Sequence, residues 1–331
     1  MVDRPQITEI TEMRGTVSAV PREGRAAAWW RANATALLFM GPAAVMVLLF
    51  FFVPVVITLA LSLTNAATAT GLSNWEWIGF ANFDQIFRGQ FAGIVFRNTL
   101  FYVLATLAFN VLVGLGIALL STHVEERAGG FFRAVWLLPR ISPSPVYALM
   151  WVWAAAIPPF GILNEFLSPI GVTPRDWLNS DPWVIVILVN GFVGASLAML
   201  VFTSAIKSIP EDLFRAARVD GASAWQIVRR ITLPLIRWPV LFVLVYQSMS
   251  LLASYEYILL TTNGGPGLYA TEVWSLWAFH TALSNYYGNL EFGLGAAMAA
   301  ILVLVGLVVS FTLLRVFRFN DLVSEPRVEI T

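Results

Sequence analysis

Residues 211–236, EDLFRAARVDGASAWQIVRRITLPLI, are a polar interruption in an otherwise oily chain. Pro210 stands where a helix has its first turn, and Glu211 and Asp212 follow at the positive end of its dipole. Leu213, Ala216 and Ala217 recur at i, i+3 and i+4 and give a small apolar face. Gly221 suits a left-handed C-terminal cap. Ser223 and Gln226 then form an S-x-x-Q capping box for a second short helix carrying Trp225, Ile227 and Val228. Arg229 and Arg230 close that helix, and Pro234 is expected to stop it. The pattern predicts a helix–turn–helix with apolar residues on one face and charge on the other. Two readings fit it. One is an amphipathic hairpin lying on a bilayer surface; the other is a docking element for a soluble partner, which two small alanines would allow to approach closely.

Working outward, the chain of 331 residues is 58% apolar and 12% charged, against roughly 45–50% and about 25% in soluble domains. Six stretches are long and apolar enough to cross about 30 Å of hydrocarbon: residues 36–63, 100–121, 131–155, 184–206, 236–260 and 292–317. The third is interrupted by Pro139, Arg140, Pro143 and Pro145, which fits a span whose freed carbonyls are met by neighbouring helices. Sixteen of the twenty Lys and Arg residues lie on one side of this arrangement. They are in the opening residues (Arg4, Arg14, Arg22, Arg25, Arg31), the second to third connection, the fourth to fifth connection and the end of the chain (Arg315, Arg318, Arg327). The charge bias places both termini and residues 211–236 in the cytoplasm. The expectation is an all-α integral membrane protein of six transmembrane helices, with a cytoplasmic tail over residues 1–33, a membrane domain over 34–318 holding a polar loop at 207–235, and a second tail over 319–331. The opening residues precede an apolar run too long for a signal-peptide core, so no cleavage is expected. Aromatic residues in NWEWIGFANFDQIF and NGGPGLYATEVWSLWAF suit the membrane interface.

Several function classes are excluded by composition. The chain has no cysteine, which removes disulfides, thiolate metal sites and cysteine nucleophiles. Its two histidines, His123 and His280, are far apart and lack metal-ligand spacing. The net charge of zero argues against nucleic acid as a partner. Lys207 is the only lysine and follows Ile206, so the phosphate-cradling sequence G-x-x-x-x-G-K-[ST] occurs nowhere. Any ATP the process needs must be bound by another polypeptide.

The stretch IPEDLFRAARVDGASAWQIVRRITLP resembles the cytoplasmic signature loop, the EAA loop, of permease subunits of binding-protein-dependent ABC importers, through Ala216, Ala217, Asp220, Gly221, Ala222, Ile231, Leu233 and Pro234. WIGFANF and RNTLFY before the second span, and LTTNGGPGLYAT after the fifth, are similar to carbohydrate-type permeases that pair with a second, similar permease. The resemblance implies that residues 211–222, with Glu211, Asp212, Arg215, Ala216, Ala217, Asp220, Gly221 and Ala222, form coupling helices seated in a cleft of a separate ATPase. It also implies a multi-pass protein of the bacterial cytoplasmic (inner) membrane, in contact with lipid. Its partners would be a homologous permease, two ATP-binding cassette subunits that hold ATP and magnesium, and an extracytoplasmic solute-binding protein. The chain itself would hold no cofactor or metal and catalyse no reaction. One departure is Arg215, where the family usually has glutamate.

Polar residues inside spans are costly and mark solute pathways or helix–helix bonds. Asn190 and Gly194 lie at i and i+4 of the fourth span, placing a side-chain amide beside a gap where a sugar ring could approach the backbone. Gln247, Ser250 and Ser254 share a face of the fifth span, next to Tyr255. The resemblance places these near the sugar-contacting positions of maltose-type permeases. Pathway lining and helix packing both remain open for Asn190, Gln247, Ser250 and Ser254, whereas Asn110 reads as a link between helices. The function expected is translocation of a sugar or sugar derivative by alternating access. The alternative is an ion-coupled secondary transporter, which would want titratable groups near mid-membrane, where only Arg140 and Glu256 are candidates.

Overall fold

The structure is a computed structural model that describes residues 25–71, 74–284 and 288–317. Arg4, Arg14 and Arg22 of the expected N-terminal tail, and the whole tail at 319–331 with Arg318, lie outside the described residues. The chain divides into two units, Met1–Val56 and Ile57–Thr331. Helix α1, Arg25–Val47, begins inside the stretch read as tail, and a π-turn at Leu48–Phe52 links it to α2, Val53–Leu61. The Val53 amide reaches back five residues to the Leu48 carbonyl. That wider turn immediately precedes Pro54, whose ring would clash with the carbonyl four residues back in a regular α-helix.

The second unit continues through α3 (Ala81–Arg88), the 32-residue α4 (Ala92–His123), α5 (Glu126–Ile141), α6 (Ser144–Ala154), α7 (Ile162–Leu167) and α8 (Trp177–Ser180). It goes on with α9 (Pro182–Lys207), α10 (Glu211–Val219), α11 (Ala224–Ile227), α12 (Leu233–Leu235), α13 (Arg237–Ala253), α14 (Glu256–Thr261), α15 (Trp274–Ala282) and α16 (Phe292–Val316). No β-strand occurs among the described residues; a single bridge joins Thr64 and Trp77.

The most extensive pairing is α4 against α9. Association inside a membrane depends on close backbone approach and interhelical hydrogen bonds, because lipid is as apolar as leucine. A Cβ on Gly114 would stand 2.5 Å from Ala198 Cβ and 2.8 Å from the Ala195 carbonyl oxygen; one on Gly191 would meet the Phe109 ring at 2.6 Å. These glycines let the helices touch. Around them Ala118, Phe202, Ile206, Ile236 and Val243 form a buried cluster.

Among the described residues, four helical stretches are long and apolar enough to cross a membrane: Leu38–Leu61, α4, α9 and α16. A fifth appears if Ala224–Leu235 and Arg237–Ala253, bent by 70° at Ile236, count as one span. The stretch at 131–155 is instead two helices, α5 and α6. Pro139 and Arg140 remain helical, and the break falls at Ser142–Pro143, where Ser142 adopts extended ψ 141° as a residue before proline must. The stretch at 236–260 is also divided: α13 ends at Ala253 and α14 starts at Glu256, so Ser254 and Tyr255 lie in the break. Pro234 does not end its helix either. A π-turn at Val228–Thr232 widens the preceding turn, as it does before Pro54, and helix continues to Leu235.

The sequence motifs act as fasteners. Asn82 of WIGFANF donates to the Ser62 and Thr64 carbonyls at 2.8 Å each. Asn98 of RNTLFY donates to the carbonyls of Tyr269 (2.7 Å) and Glu272 (3.2 Å), and Thr99 Oγ1 accepts from the Trp274 amide at 2.8 Å. Two distant motifs are thereby tied together. Trp75 and Trp77 are exposed as interface aromatics should be, but Trp274 is a core residue whose indole donates to the Met298 carbonyl.

Candidate functional site

All six residues singled out in the fourth and fifth spans (Asn190, Gly194, Gln247, Ser250, Ser254 and Tyr255) line one cavity of about 630 Å³. Ligand pockets commonly fall in the range of ~300–1,000 Å³. The breaks at Ser142–Pro143 and Ser254–Tyr255 shape this cavity: Arg140 and Pro145 come from the first, and Ser254 to Tyr257 from the second. Where regular hydrogen bonding stops, side chains and backbone of the same few residues turn toward the opening, which a continuous helix would not permit.

Asn190 donates at 2.7 Å to the Tyr102 hydroxyl and at 2.9 Å to Ser254 Oγ, and Tyr102 donates to Ser254 Oγ at 3.3 Å. Ser254 Oγ thus accepts twice and keeps its own hydrogen to give. The Asn190 carbonyl oxygen likewise remains as an acceptor. Tyr102, fully buried, was missed in the sequence. A signal was present: Asn98, Tyr102, Thr106, Asn110, Gly114 and Ala118 repeat every fourth residue of α4, and all are buried.

Gln247 donates at 2.7 Å to the Gly194 carbonyl and accepts at 2.9 Å from Asn110. Turning the Asn110 amide over would place its nitrogen 2.9 Å from the Gly191 carbonyl and 3.1 Å from that of Thr106. In either orientation Asn110 links α4 to its neighbours, as expected. The gap at Gly194 has a different occupant from the one expected: a Cβ there would lie 2.1 Å from Asn110 Nδ2, so protein fills the space that was read as room for a ring. Gln247 is likewise held in helix–helix bonding, whereas Ser250 is exposed. Tyr255 stacks on Phe279 with centroids 4.8 Å apart, and the two rings give the cavity an apolar face. Glu256 accepts from the Ser144 hydroxyl across the two breaks.

The polar insert is built as its sequence implies. Ser223 and Gln226 make both bonds of the capping box. Gly221 has φ +77°, the Ala222 amide bonds the Ala217 carbonyl, and the Gly221 amide bonds that of Arg218, which is a Schellman termination. No residue of α10 is buried within the chain. Val219 is 88% exposed and Trp225 68%, with Leu213 also exposed. Phe214 and Ala217 are half-buried, and the exposed Leu213, Val219 and Trp225 leave apolar surface for something else.

Arg215 Nη2 lies 2.8 Å from Glu211 Oε2, and Nη1 lies 3.8 Å from Asp212, all well exposed. Such pairs contribute about 0–1 kcal/mol. Arg215→Glu is therefore expected to leave assembly intact and transport within about twofold of wild type. Loss of ATPase binding on co-purification would show that Arg215 makes a contact of its own. At the end of α9, Lys207 bonds both oxygens of Glu126 at 2.7 and 2.8 Å, and Arg133 reaches the same carboxylate at 2.8 Å. The Lys207 hydrogen bond holds the Glu126 carboxyl below the usual range. This cluster ties the start of α5 to the base of the insert.

Long apolar helices around a polar cavity, with an amphipathic helix standing free of the bundle, define a membrane transport protein. The chain belongs to the family of binding-protein-dependent transport system inner membrane components, which matches residues 110–319. It is a multi-pass permease of an ABC importer in the inner membrane. It is 29% identical over 287 residues to the trehalose/maltose transport system permease protein MalF of Thermococcus litoralis, covering 86% of this chain and 93% of that protein. Similarity to the sulfoquinovosyl glycerol transport system permease protein SmoG of Agrobacterium fabrum is 26% over 288 residues, 86% of this chain and 91% of the relative. Among solved structures, a chain of a bacterial ABC transporter that imports the acidic polysaccharide alginate matches with TM-score 0.75 and 25% identity, over 89% of this chain and 99% of that one.

Proposed function

We propose that this chain carries a sugar or sugar derivative across the cytoplasmic membrane, by alternating access driven from a separate ATPase. The cavity lined by α9, α13 and α14 is its solute path, and α10 with α11 is its coupling element. In this reading the chain crosses six times: Leu38–Leu61, α4, the broken α5–α6, α9, α13 with α14, and α16. Both termini and the loop at 207–235 are cytoplasmic, as the arginine bias favours. Two ATP-binding subunits hold ATP and magnesium, a second homologous permease completes the pathway, and an extracytoplasmic binding protein delivers the solute. The relatives that carry trehalose/maltose, sulfoquinovosyl glycerol and alginate support a carbohydrate solute, neutral or acidic.

The observation that carries this reading is the triad of Asn190, Tyr102 and Ser254 at a helix break, with an acceptor and a hydroxyl hydrogen left over beside the stacked Tyr255 and Phe279 rings. Amide and hydroxyl groups match sugar hydroxyls, and aromatic faces cover sugar C–H surfaces. Asn190→Ala and Ser254→Ala are each expected to reduce solute-dependent transport about tenfold while the complex still assembles. The check is uptake into proteoliposomes alongside size-exclusion chromatography of the complex. Unchanged uptake kinetics in both variants would return these residues to a packing role.

A further inference from the structure

We propose that Arg140 sets the charge class of the solute, so that the cavity selects sugar derivatives bearing an oxyanion (carboxylate, phosphate or sulfonate) over neutral sugars. This rests on the cavity being the solute path. Arg140 and Glu256 both line it, so both charges belong to one wall. Yet among the described residues no carboxylate stands within ion-pair distance of Arg140. Glu256, the one acidic residue of the lining, is bonded instead to the Ser144 hydroxyl.

Arg140 occupies the last turn of α5, where the negative end of the helix dipole favours a cation. Apart from Arg140 and Glu256, the polar groups of the wall, on Asn190, Gln247, Ser250, Ser254 and three tyrosines (Tyr246, Tyr255, Tyr257), are neutral. What the wall offers a solute is therefore a set of hydroxyl-matching groups, one carboxylate already bonded to Ser144, and one planar fork of N–H donors. Arg140 is exposed, and the donors of its guanidinium fit two oxygens of one oxyanion. A neutral sugar leaves that charge unmatched.

The test uses the assembled importer in nanodiscs without ATP. Equilibrium binding is measured for radiolabelled methyl β-glucoside, methyl β-glucuronide, and the 6-phosphate and 6-sulfonate of methyl β-glucoside. At least one of the three anionic glycosides is expected to bind about tenfold or more tighter than the neutral one, and the three anions rank carboxylate, phosphate and sulfonate. R140Q is expected to abolish the preference, R140K to keep part of it, and E256Q to keep or strengthen it. Neutral glycoside binding as tightly as every anion, or a preference that survives in R140Q, overturns the proposal. If R140Q does not assemble, the wild-type ranking and R140K still decide the matter. Binding of none of the four would overturn the reading of the cavity itself, which is a different result from binding without a charge preference.

Discussion

Gly221→Trp is expected to separate ATP hydrolysis from uptake, lowering transport by more than about tenfold while the importer still hydrolyses ATP. Gly221 sits at φ +77° with open space where a side chain would go, so the cost arises from backbone conformation and from bulk at the docking surface, not from a clash inside the chain. A bulky residue in the left-handed region costs roughly 1–2 kcal/mol. The Schellman bonds to Ala217 and Arg218 depend on that conformation. Because no residue of α10 is fully buried within its own chain and only Phe214 and Ala217 are half-buried, little tertiary packing supports the helix once its end is lost. Gly221→Asn is the control, since asparagine tolerates the same conformation. Paired uptake and ATPase assays in proteoliposomes decide it; normal uptake by Gly221→Trp would remove the docking role from this turn.

Gly114→Leu is expected to cost the protein most of its folded population. The first atom of the new side chain would meet Ala198 Cβ at 2.5 Å, the Ala195 carbonyl oxygen at 2.8 Å and the Met199 amide nitrogen at 2.9 Å. Two of these are backbone atoms of α9 and have no rotamer to escape into. Overpacking typically costs about 1–3 kcal/mol, and a clash with rigid backbone belongs at or above the upper end. Gly116 lies two residues along the same helix with nothing within 4 Å, so Gly116→Leu should be neutral and controls for the change in helix propensity. Thermal unfolding of the purified protein, with yield of monodisperse protein, checks both. A midpoint for Gly114→Leu equal to that of Gly116→Leu would show that the helices part easily there.

What could be read from the residues differs by the range of the interactions involved. The caps of the polar insert were legible because capping is local: Ser223, Gln226 and Gly221 act on atoms within five positions of themselves. The cavity residues were legible as types, since an amide or hydroxyl in an apolar span requires a partner. Their division of labour was not. Gln247 and Asn190 look alike in the sequence, yet Gln247 is held between Gly194 and Asn110 while Asn190 keeps its carbonyl oxygen free. Gly194 was read as space for a ligand, and Asn110 occupies that space. Tyr102 was overlooked because one tyrosine in an apolar run is unremarked until the fourfold spacing of its neighbours is noticed.

The sequence by itself determined the class. Composition fixes a membrane protein, the lone lysine leaves no phosphate-binding loop of the G-x-x-x-x-G-K-[ST] kind in the sequence, and the insert's own caps specify two short helices. Each follows from the free energy of single residues or short neighbourhoods in water and lipid. Tertiary structure alone decided where the spans break and what those breaks expose. Helix α5 runs through Pro139 but stops at Ser142, and α13 stops at Ala253. Those endpoints depend on which freed carbonyls and side chains find partners on other helices, such as Ser144 on Glu256 and Ser275 on the Ser254 carbonyl. The same long-range pairing left Arg140 without a carboxylate within ion-pair distance among the described residues, and α10 with no fully buried residue, and these depend on where residues distant in the chain come to lie.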